Sequence, residues 1–224
     1  MSMAFNKKYF CPYCNEYKYF KNFGYPKRKK VLCPECYSLE RHRFAYYVYK
    51  QAFLNSDKQI KLLHTAPEKC IAEEILKNPL IDYVPIDLEP QNYKFVKCQK
   101  EDVTKLTFSN NSFDFIISNH VMEHISDEKA FLSEMLRVLK PAGKLYLMIP
   151  IFFNCKESFE DSSITSDEDR LKYYGQADHV RKYGCDVIKR LKKYYGAEII
   201  HANKYGMKNA RIDKKDIIFV ITKK

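Results

Sequence analysis

At 224 residues the chain has room for one full α/β domain and a small appendage, with a core that needs no disulfide staple. Hydrophobic residues make up 46% and charged residues 30%, with no repeat, no low-complexity run and no apolar stretch near the roughly 20 residues that span a bilayer, so no membrane partner is expected. The net charge of +11 suits phosphate or nucleic acid, yet the lysines are spread along the whole chain, which reads first as a solvated basic surface.

In chain order, MSMAFNKKYF lacks the apolar segment of a secretory signal, and a soluble cytoplasmic protein is expected. Cys11, Cys14, Cys33 and Cys36 then form CPYC and CPEC, two C-x-x-C pairs separated by eighteen residues. Two such knuckles supply the closed tetrahedral shell of a structural Zn²⁺, with no open position for catalysis. A redox dithiol needs a single pair opening a helix, which two matched pairs in a short aromatic segment do not offer. Cys70, Cys98, Cys155 and Cys185 stand alone and read as small buried hydrophobes. Between the knuckles lies the densest basic cluster, PKRKK at 26–30. YSLERHRFAYYVYKQAFL has helical periodicity and carries the triplet Arg41, His42, Arg43, either a solvated face or a phosphate or substrate contact. The polar break NSDKQ at 55–59 divides the chain into 1–54, a ribbon with its linking helix, and 55–224.

From residue 60 onward strands are expected near 60–65, 82–87, 97–101, 113–118 and 143–149, with helices near 69–77 and 127–139. This alternation specifies a mostly parallel sheet with helices on both faces. Ser126 and Asp127 can cap the second helix and KPAG stops it. Only LEPQNYKFV links the second and third strands, too little for a full crossover helix. Ligands of such sheets bind outside the carboxyl ends of the strands, which here carry HTAPE, Asp87, Asp102 and SNHVMEH. Carboxylates at two adjacent strand ends suit a nucleoside, one accepting from the ribose hydroxyls and the other from the exocyclic amine of adenine. HTAPE has no glycine, so it reads either as a buried strand entering a helix or as an unusual cofactor loop. Residues 151–183 are long enough for a substrate lid carrying Asp178, His179 and Arg181, with an Arg181–Asp178 salt bridge as the rival reading.

The stretch VTKLTFSNNSFDFIISNHVMEHISDEKAFLSEMLRVLKPAGKLYLMIP resembles the central segment of class I S-adenosylmethionine-dependent methyltransferases. HTAPE, YGQADHVRKYG and the four-cysteine ribbon leading into RHR are similar to a bacterial subgroup often encoded among genes for surface polysaccharides or specialised metabolites. The resemblance implies a Rossmann-like seven-stranded methyltransferase sheet with a small N-terminal zinc ribbon. It sets His64, Ala66 and Glu68 against the methionine part of S-adenosylmethionine, Asp87 against the ribose, Asp102 and Val103 against adenine, and Asn119 and His120 near the sulfonium. Pro67 would fix the turn and Glu68 would replace glycine-loop contacts with a carboxylate. Base candidates are His120, His124, Asp178 and His179, with His124 read first as an anchor of the following helix and Arg181 beside them on the acceptor side.

SNHV lacks the Asn-Pro-Pro-Tyr type sequence that favours amide or adenine nitrogens, and no cysteine stands there as a nucleophile. The expected acceptor is a small polar molecule, foremost a sugar or sugar-nucleotide hydroxyl. The alternatives are ribosomal or transfer RNA gripped through PKRKK, and an inactive binding protein on the same fold. The sequence does not specify an oligomeric state.

Overall fold

The computed structural model describes residues 7–24, 26–205 and 208–224, which divide into two compact units. The first comprises residues 1–59, 68–81 and 201–217, the second 60–67, 82–200 and 218–224. The division differs from 1–54 and 55–224: residues 68–81 and 201–217 return to the unit that holds the ribbon, because the buried side chains of the helix after the ribbon, Glu40–Tyr49, need more cover than a short ribbon supplies.

In the first unit β1 (Tyr9–Cys11) pairs antiparallel with β2 (Glu16–Lys18), and β3 (Lys21–Phe23) with β4 (Arg28–Leu32). Each hairpin carries one C-x-x-C knuckle next to a strand, and the small cluster of Cys11, Phe20 and Cys33, with Tyr9 and Tyr13 against it, is its core. Helix α1 (Glu40–Tyr49) follows and ends in a π turn at Lys50–Leu54. Arg43 is fully buried, donating from Nε to the Ala210 carbonyl at 2.6 Å and from Nη1 to that of Ser38 at 2.6 Å, with its guanidinium 4.4 Å from the Phe20 ring centroid. Further donation to Val31 at 2.9 Å and Arg211 at 3.0 Å makes it the bolt of this unit. The expected solvated or phosphate-binding triplet is corrected at this position: a guanidinium satisfied by four carbonyls has no capacity for a ligand. Helix α2 (Lys69–Ile75) turns Cys70, Ile71, Ala72 and Ile75 inward.

The second unit is built on a seven-stranded sheet of order β10-β11-β9-β8-β5-β6-β7. Its strands are β5 (Ile60–Thr65), β6 (Ile81–Asp87), β7 (Gln99–Lys100), β8 (Phe113–Asn119), β9 (Leu139–Met148), β10 (Glu198–His201) and β11 (Ile217–Thr222). β8 runs parallel to both β5 and β9, and β11 antiparallel to β9. The central strands are buried on both faces, which is why LLH, FIIS and LYLM read as continuous apolar runs rather than alternation. The short link after β6 holds only one 3₁₀ turn, Pro90–Asn92.

Helix α3 (Glu128–Val138) starts where expected, with Asp127 accepting from the Ala130 N–H at 2.9 Å. Its end differs from the expectation: β9 begins at Leu139 without a loop, and KPAG is a bulge inside that strand rather than a separate stop. Only glycine fits at 143, where a Cβ would stand 2.8 Å from the Lys140 carbonyl oxygen and 3.0 Å from that of Asp114. Four elements lie beyond those expected, α4 (Asp167–Tyr174), α5 (Asp186–Tyr195), β10 and β11. Of the isolated cysteines, Cys70 is buried as expected, whereas Cys98, Cys155 and Cys185 are half-buried. Among the described residues no helix is long and apolar enough to cross a membrane.

Candidate active site

The chain enters the sheet at β5, builds outward through β6 and β7, then returns to β8 on the other side of β5 and builds outward through β9. The reversal between β5 and β8 is a topological switch point, where strand ends part and leave a crevice. Two backbone sites shape it. Ala66, just after β5, has φ +47° and donates its N–H to the Ile86 carbonyl at 2.9 Å. His120, just after β8, has φ +54° and donates to the Met148 carbonyl at 2.8 Å. Left-handed conformation at a non-glycine residue costs about 1–3 kcal/mol and is held where surrounding structure over-determines it. The glycine-free loop thus makes its turn by forcing alanine, the smallest side chain bearing a Cβ, into a geometry that glycine would adopt freely.

Between these sites lies a cavity of about 210 Å³. Ile86, Leu88, Val103, Val121 and Ile125 give it apolar walls, and Asp87, Glu101, His120 and His124 give it polar corners. Asp87 accepts from the Glu89 N–H and from the Tyr93 hydroxyl, each at 2.8 Å, so both of its oxygens are held in place. Glu101 is buried and accepts from the Thr107 N–H at 2.9 Å and from the Thr107 hydroxyl.

On the β8 side a group of ionisable side chains gathers. His120 Nδ1 lies 3.2 Å from Glu123 Oε1, and Glu123 is almost fully buried. The rings of His124 and His179 meet edge to face with centroids 4.8 Å apart. His124 Nδ1 is 3.0 Å from the Asp178 carbonyl and 3.4 Å from Asp178 Oδ2. Burial lowers the pKa of His179 below the usual imidazole value and so favours its neutral form. The segment carrying Asp178 and His179 is stapled to the turn after β8: Val180 N–H donates to the Glu123 carbonyl at 3.0 Å, and Arg181 Nη1 and Nη2 donate to the Ile125 and Ser126 carbonyls at 2.7 and 2.8 Å. A second cavity, of about 540 Å³, lies beside this turn and has Ser126, Lys129, Ser158, Glu160, Arg181 and Arg190 among its charged and hydroxyl-bearing lining residues.

Residues 67–147, roughly a third of the chain, match a family model described as "Methyltransferase domain". A SAM-dependent methyltransferase from Archaeoglobus fulgidus superposes with a TM-score of 0.54 at 14% identity, over 82% of this chain and 94% of that one. The fold is that of a methyltransferase. In sequence the chain is 37% identical over 89 residues to a ubiquinone/menaquinone biosynthesis C-methyltransferase of Rickettsia felis, covering 40% of this chain and 34% of that protein. It is 32% identical over 100 residues to an arsenite methyltransferase of Aquipseudomonas alcaligenes, covering 45% and 28%. The chain spans about a third of the length of the curated relatives it matches.

In this methyltransferase fold the expected site residues separate into groups. Ala66, Asp87, Val103 and His120 come together around the smaller cavity. His64 is buried under it in β5, with Nδ1 2.9 Å from the Tyr83 hydroxyl, and Asn119 is buried at the end of β8. Asp102 is largely exposed, its Oδ1 accepting from the Thr104 N–H at 2.8 Å and hydroxyl at 2.7 Å, and these bonds lower its pKa. Glu68 belongs to the first unit, where its carboxylate stands 3.6 Å from His42 Nε2. Arg181 works in the scaffold while also lining the larger cavity: its Nε and Nη2 grip Glu160 at 2.9 Å each and its N–H groups hold carbonyls of the turn, and the rival pairing with Asp178 is corrected, since that carboxylate faces His124. Asp178 is exposed and faces His124. Residues 151–183 are anchored at both ends, by bridges of Ile151 to Tyr183 and Phe159 to Lys182, with α4 between them.

Two residues that the sequence did not single out belong to the site, Glu101 and Glu123. The second carried no helical signal, since His120 is left-handed and precedes the 3₁₀ turn Met122–His124 that holds Glu123.

In the first unit the four cysteine sulfurs lie within 4.8 Å of one another, with Cys11 and Cys36 at 3.4 Å and Cys14 and Cys33 at 3.7 Å. A Zn–S bond of about 2.3 Å places tetrahedral sulfurs about 3.8 Å apart, so the residues fit the metal. Burial, then repulsion from Cys11, pushes the Cys14 thiol up to about 12, and hydrogen bonding to Cys11 pushes Cys36 higher still. Four crowded sulfurs cannot all ionise without a cation to neutralise them.

Proposed function

We propose that this chain is an S-adenosylmethionine-dependent methyltransferase acting in the cytoplasm on a hydroxyl of a small polar acceptor, foremost a sugar or sugar-nucleotide, with a structural Zn²⁺ on Cys11, Cys14, Cys33 and Cys36. The observation that carries it is the His120–Glu123 pair at the rim of the switch-point cavity, with Asp87 among the other polar groups of that cavity. S-adenosylmethionine, when bound, supplies a methyl group on a sulfonium that an acceptor lone pair can displace. Asp87, already fixed by Glu89 and Tyr93, has lone pairs left for a ribose diol. Ile86, Leu88 and Val103 offer apolar surface to an adenine ring, and Glu101 and Asp102 stand by as acceptors for its amine. Glu123 accepts from His120 Nδ1, which leaves Nε2 as the proton acceptor and stabilises the imidazolium that forms. Pre-organised alignment of acceptor and methyl group supplies the rest of the rate.

The charged side chains that line the second cavity support a polar acceptor over an isoprenoid one, because burying an apolar tail there would strip water from Arg190, Glu160 and Lys129 without replacing its hydrogen bonds. An RNA acceptor has less support. Arg28 of PKRKK is paired with Glu40 at 2.7 Å, and Arg211 donates to the Lys29 carbonyl at 3.0 Å, so part of that cluster serves the first unit itself.

The test is calorimetry with S-adenosylhomocysteine followed by methyl transfer to a panel of nucleotide-sugars, a menaquinol analogue and ribosomal RNA. Micromolar binding with transfer to a nucleotide-sugar, insensitive to salt, supports the reading. Absent cofactor binding leaves the inactive-binder reading, and transfer to RNA that falls steeply with salt replaces the sugar by RNA.

A further inference from the structure

The polar group beside the cavity contains more than a proton acceptor needs. Glu123 Oε2 and His179 Nδ1 are buried with no hydrogen-bond partner, on residues 1% and 3% exposed. Each such orphan costs about 1–3 kcal/mol, and a fold does not keep two side by side without an occupant. One ligand atom each from Glu123, His124 and His179 lie within 4.8 Å of one another. The His124 ring is set by Asp178: with the carbonyl at 3.0 Å and Oδ2 at 3.4 Å, its Nδ1 carries the proton and its Nε2 carries the free lone pair. A histidine whose second nitrogen donates to a carbonyl or carboxylate is oriented as metal-ligating histidines are.

We propose that Glu123, His124 and His179 form a divalent-metal site, separate from the four-cysteine site, in which Glu123 Oε2, His124 Nε2 and His179 Nδ1 are the ligands. Two imidazoles and one carboxylate suit Zn²⁺, Mn²⁺, Co²⁺ or Fe²⁺ and leave coordination positions open. Ligand bonds of about 2.0–2.2 Å require these atoms to draw closer together than the 4.8 Å within which they lie. The backbone is fixed in advance, since Val180 N–H and the Arg181 guanidinium bind the two segments that bring the ligands together. An ordered water is the competing occupant, but it cannot neutralise the buried carboxylate.

The open positions neighbour His120, which shares Glu123 with the metal through the other carboxylate oxygen. An acceptor hydroxyl bound there would be more acidic and pointed at the base. That role rests on the methyl-transfer reading, whereas metal binding itself does not.

The experiment uses the full chain with its cysteine site filled. Mn²⁺ prefers nitrogen and oxygen and does not compete for four thiolates, so calorimetry and the electron paramagnetic resonance of bound Mn²⁺ report this site alone. One equivalent of Mn²⁺ is expected, lost or weakened at least tenfold in Glu123→Gln and in His179→Asn and retained in Cys98→Ser. Unaltered wild-type protein titrated with Co²⁺ gives a second readout that needs no variant: weak visible bands of a nitrogen and oxygen site, without thiolate charge transfer. Wild-type protein that binds neither Mn²⁺ nor Co²⁺ at this site overturns the proposal, as does Mn²⁺ binding undiminished in both variants. S-adenosylhomocysteine calorimetry on the same samples separates the two readings: cofactor binding without Mn²⁺ sinks only the metal, and Mn²⁺ binding without cofactor sinks only the methyltransferase.

Discussion

The ribbon and the seven-stranded sheet hold their shape by opposite means. The ribbon buries Cys11, Phe20 and Cys33 and little else, while Tyr17, Tyr19 and Phe23 lie exposed. The sheet has Leu62, Leu63, Ile116, Ile117, Leu145, Leu147, Ile218 and Phe219 at full burial. A region with so little apolar area needs other bonds, and the proposed Zn²⁺ would supply them. A region with a surplus tolerates cost, and the sheet's carboxyl edge carries left-handed Ala66 and His120 and the buried, unsatisfied oxygen of Glu123. Stability in the strands is what lets the loops at their ends be strained and reactive.

The largest expected effect breaks the ribbon and spares the sheet. Cys11→Ser combined with Cys33→Ser removes half of the proposed zinc shell, and structural Zn²⁺ contributes about 10–16 kcal/mol in small metal-dependent folds. Metal analysis should find no zinc at that site. Hydrogen exchange should show residues 9–36 unprotected while amides of β5, β8 and β9 stay slow. Protection that falls equally in both regions would show that the sheet depends on the ribbon, contrary to the comparison.

Next in size are the residues at the sheet's edge. His120→Ala should lower kcat by about 10²–10⁴, the usual worth of a general base, with S-adenosylhomocysteine affinity changed only a few-fold. A drop in affinity with kcat unchanged would move His120 from proton transfer to cofactor contact. Asp87→Ala should weaken cofactor binding by roughly tenfold or more, since a hydrogen bond to a charged group is worth about 1.5–3 kcal/mol. Calorimetry measures it, and full affinity in the variant would place the ribose elsewhere.

The same contrast decides what could be seen in the sequence. The gathering of the four cysteines was legible because C-x-x-C is a local spacing, independent of the rest of the fold. The sheet was legible from β5 to β9 because strands buried on both faces leave unbroken apolar runs. Legibility failed where a side chain's task is set by distant partners. Arg43 and Arg181 look alike in sequence as basic residues in a motif, and both are scaffold, because carbonyls from residues 31, 38, 210 and 211 surround one and those of residues 122, 125 and 126 the other. Glu123 was passed over for a related reason, since its neighbour His179 is more than fifty residues away. The return of residues 201–217 to the first unit has no local signal at all.

The smallest effect is confined to a pH window and sharpens the view of the first unit as the one with little to spare. Asp216 is half-buried there, its Oδ2 enclosed without a hydrogen-bond partner, and desolvation raises its pKa from 3.8 to about 7, with Asp213 and Glu40 adding to the rise and Arg41 and Arg28 opposing it. Between these values the folded chain keeps a proton that the unfolded chain has released, so the unfolded state binds fewer protons and stability falls as pH rises. Below 3.8 both states are protonated and the residue is neutral in its effect; above 7 the cost of a buried charge is complete. Asp216→Asn keeps the shape and cannot ionise. Its melting temperature should match the wild type near pH 4 and exceed it at pH 8, the gap opening as pH rises through the interval between the two pKa values. Two parallel curves, or a gap that closes as pH rises, would mean that the carboxylate is ionised in the fold and paired with Arg41.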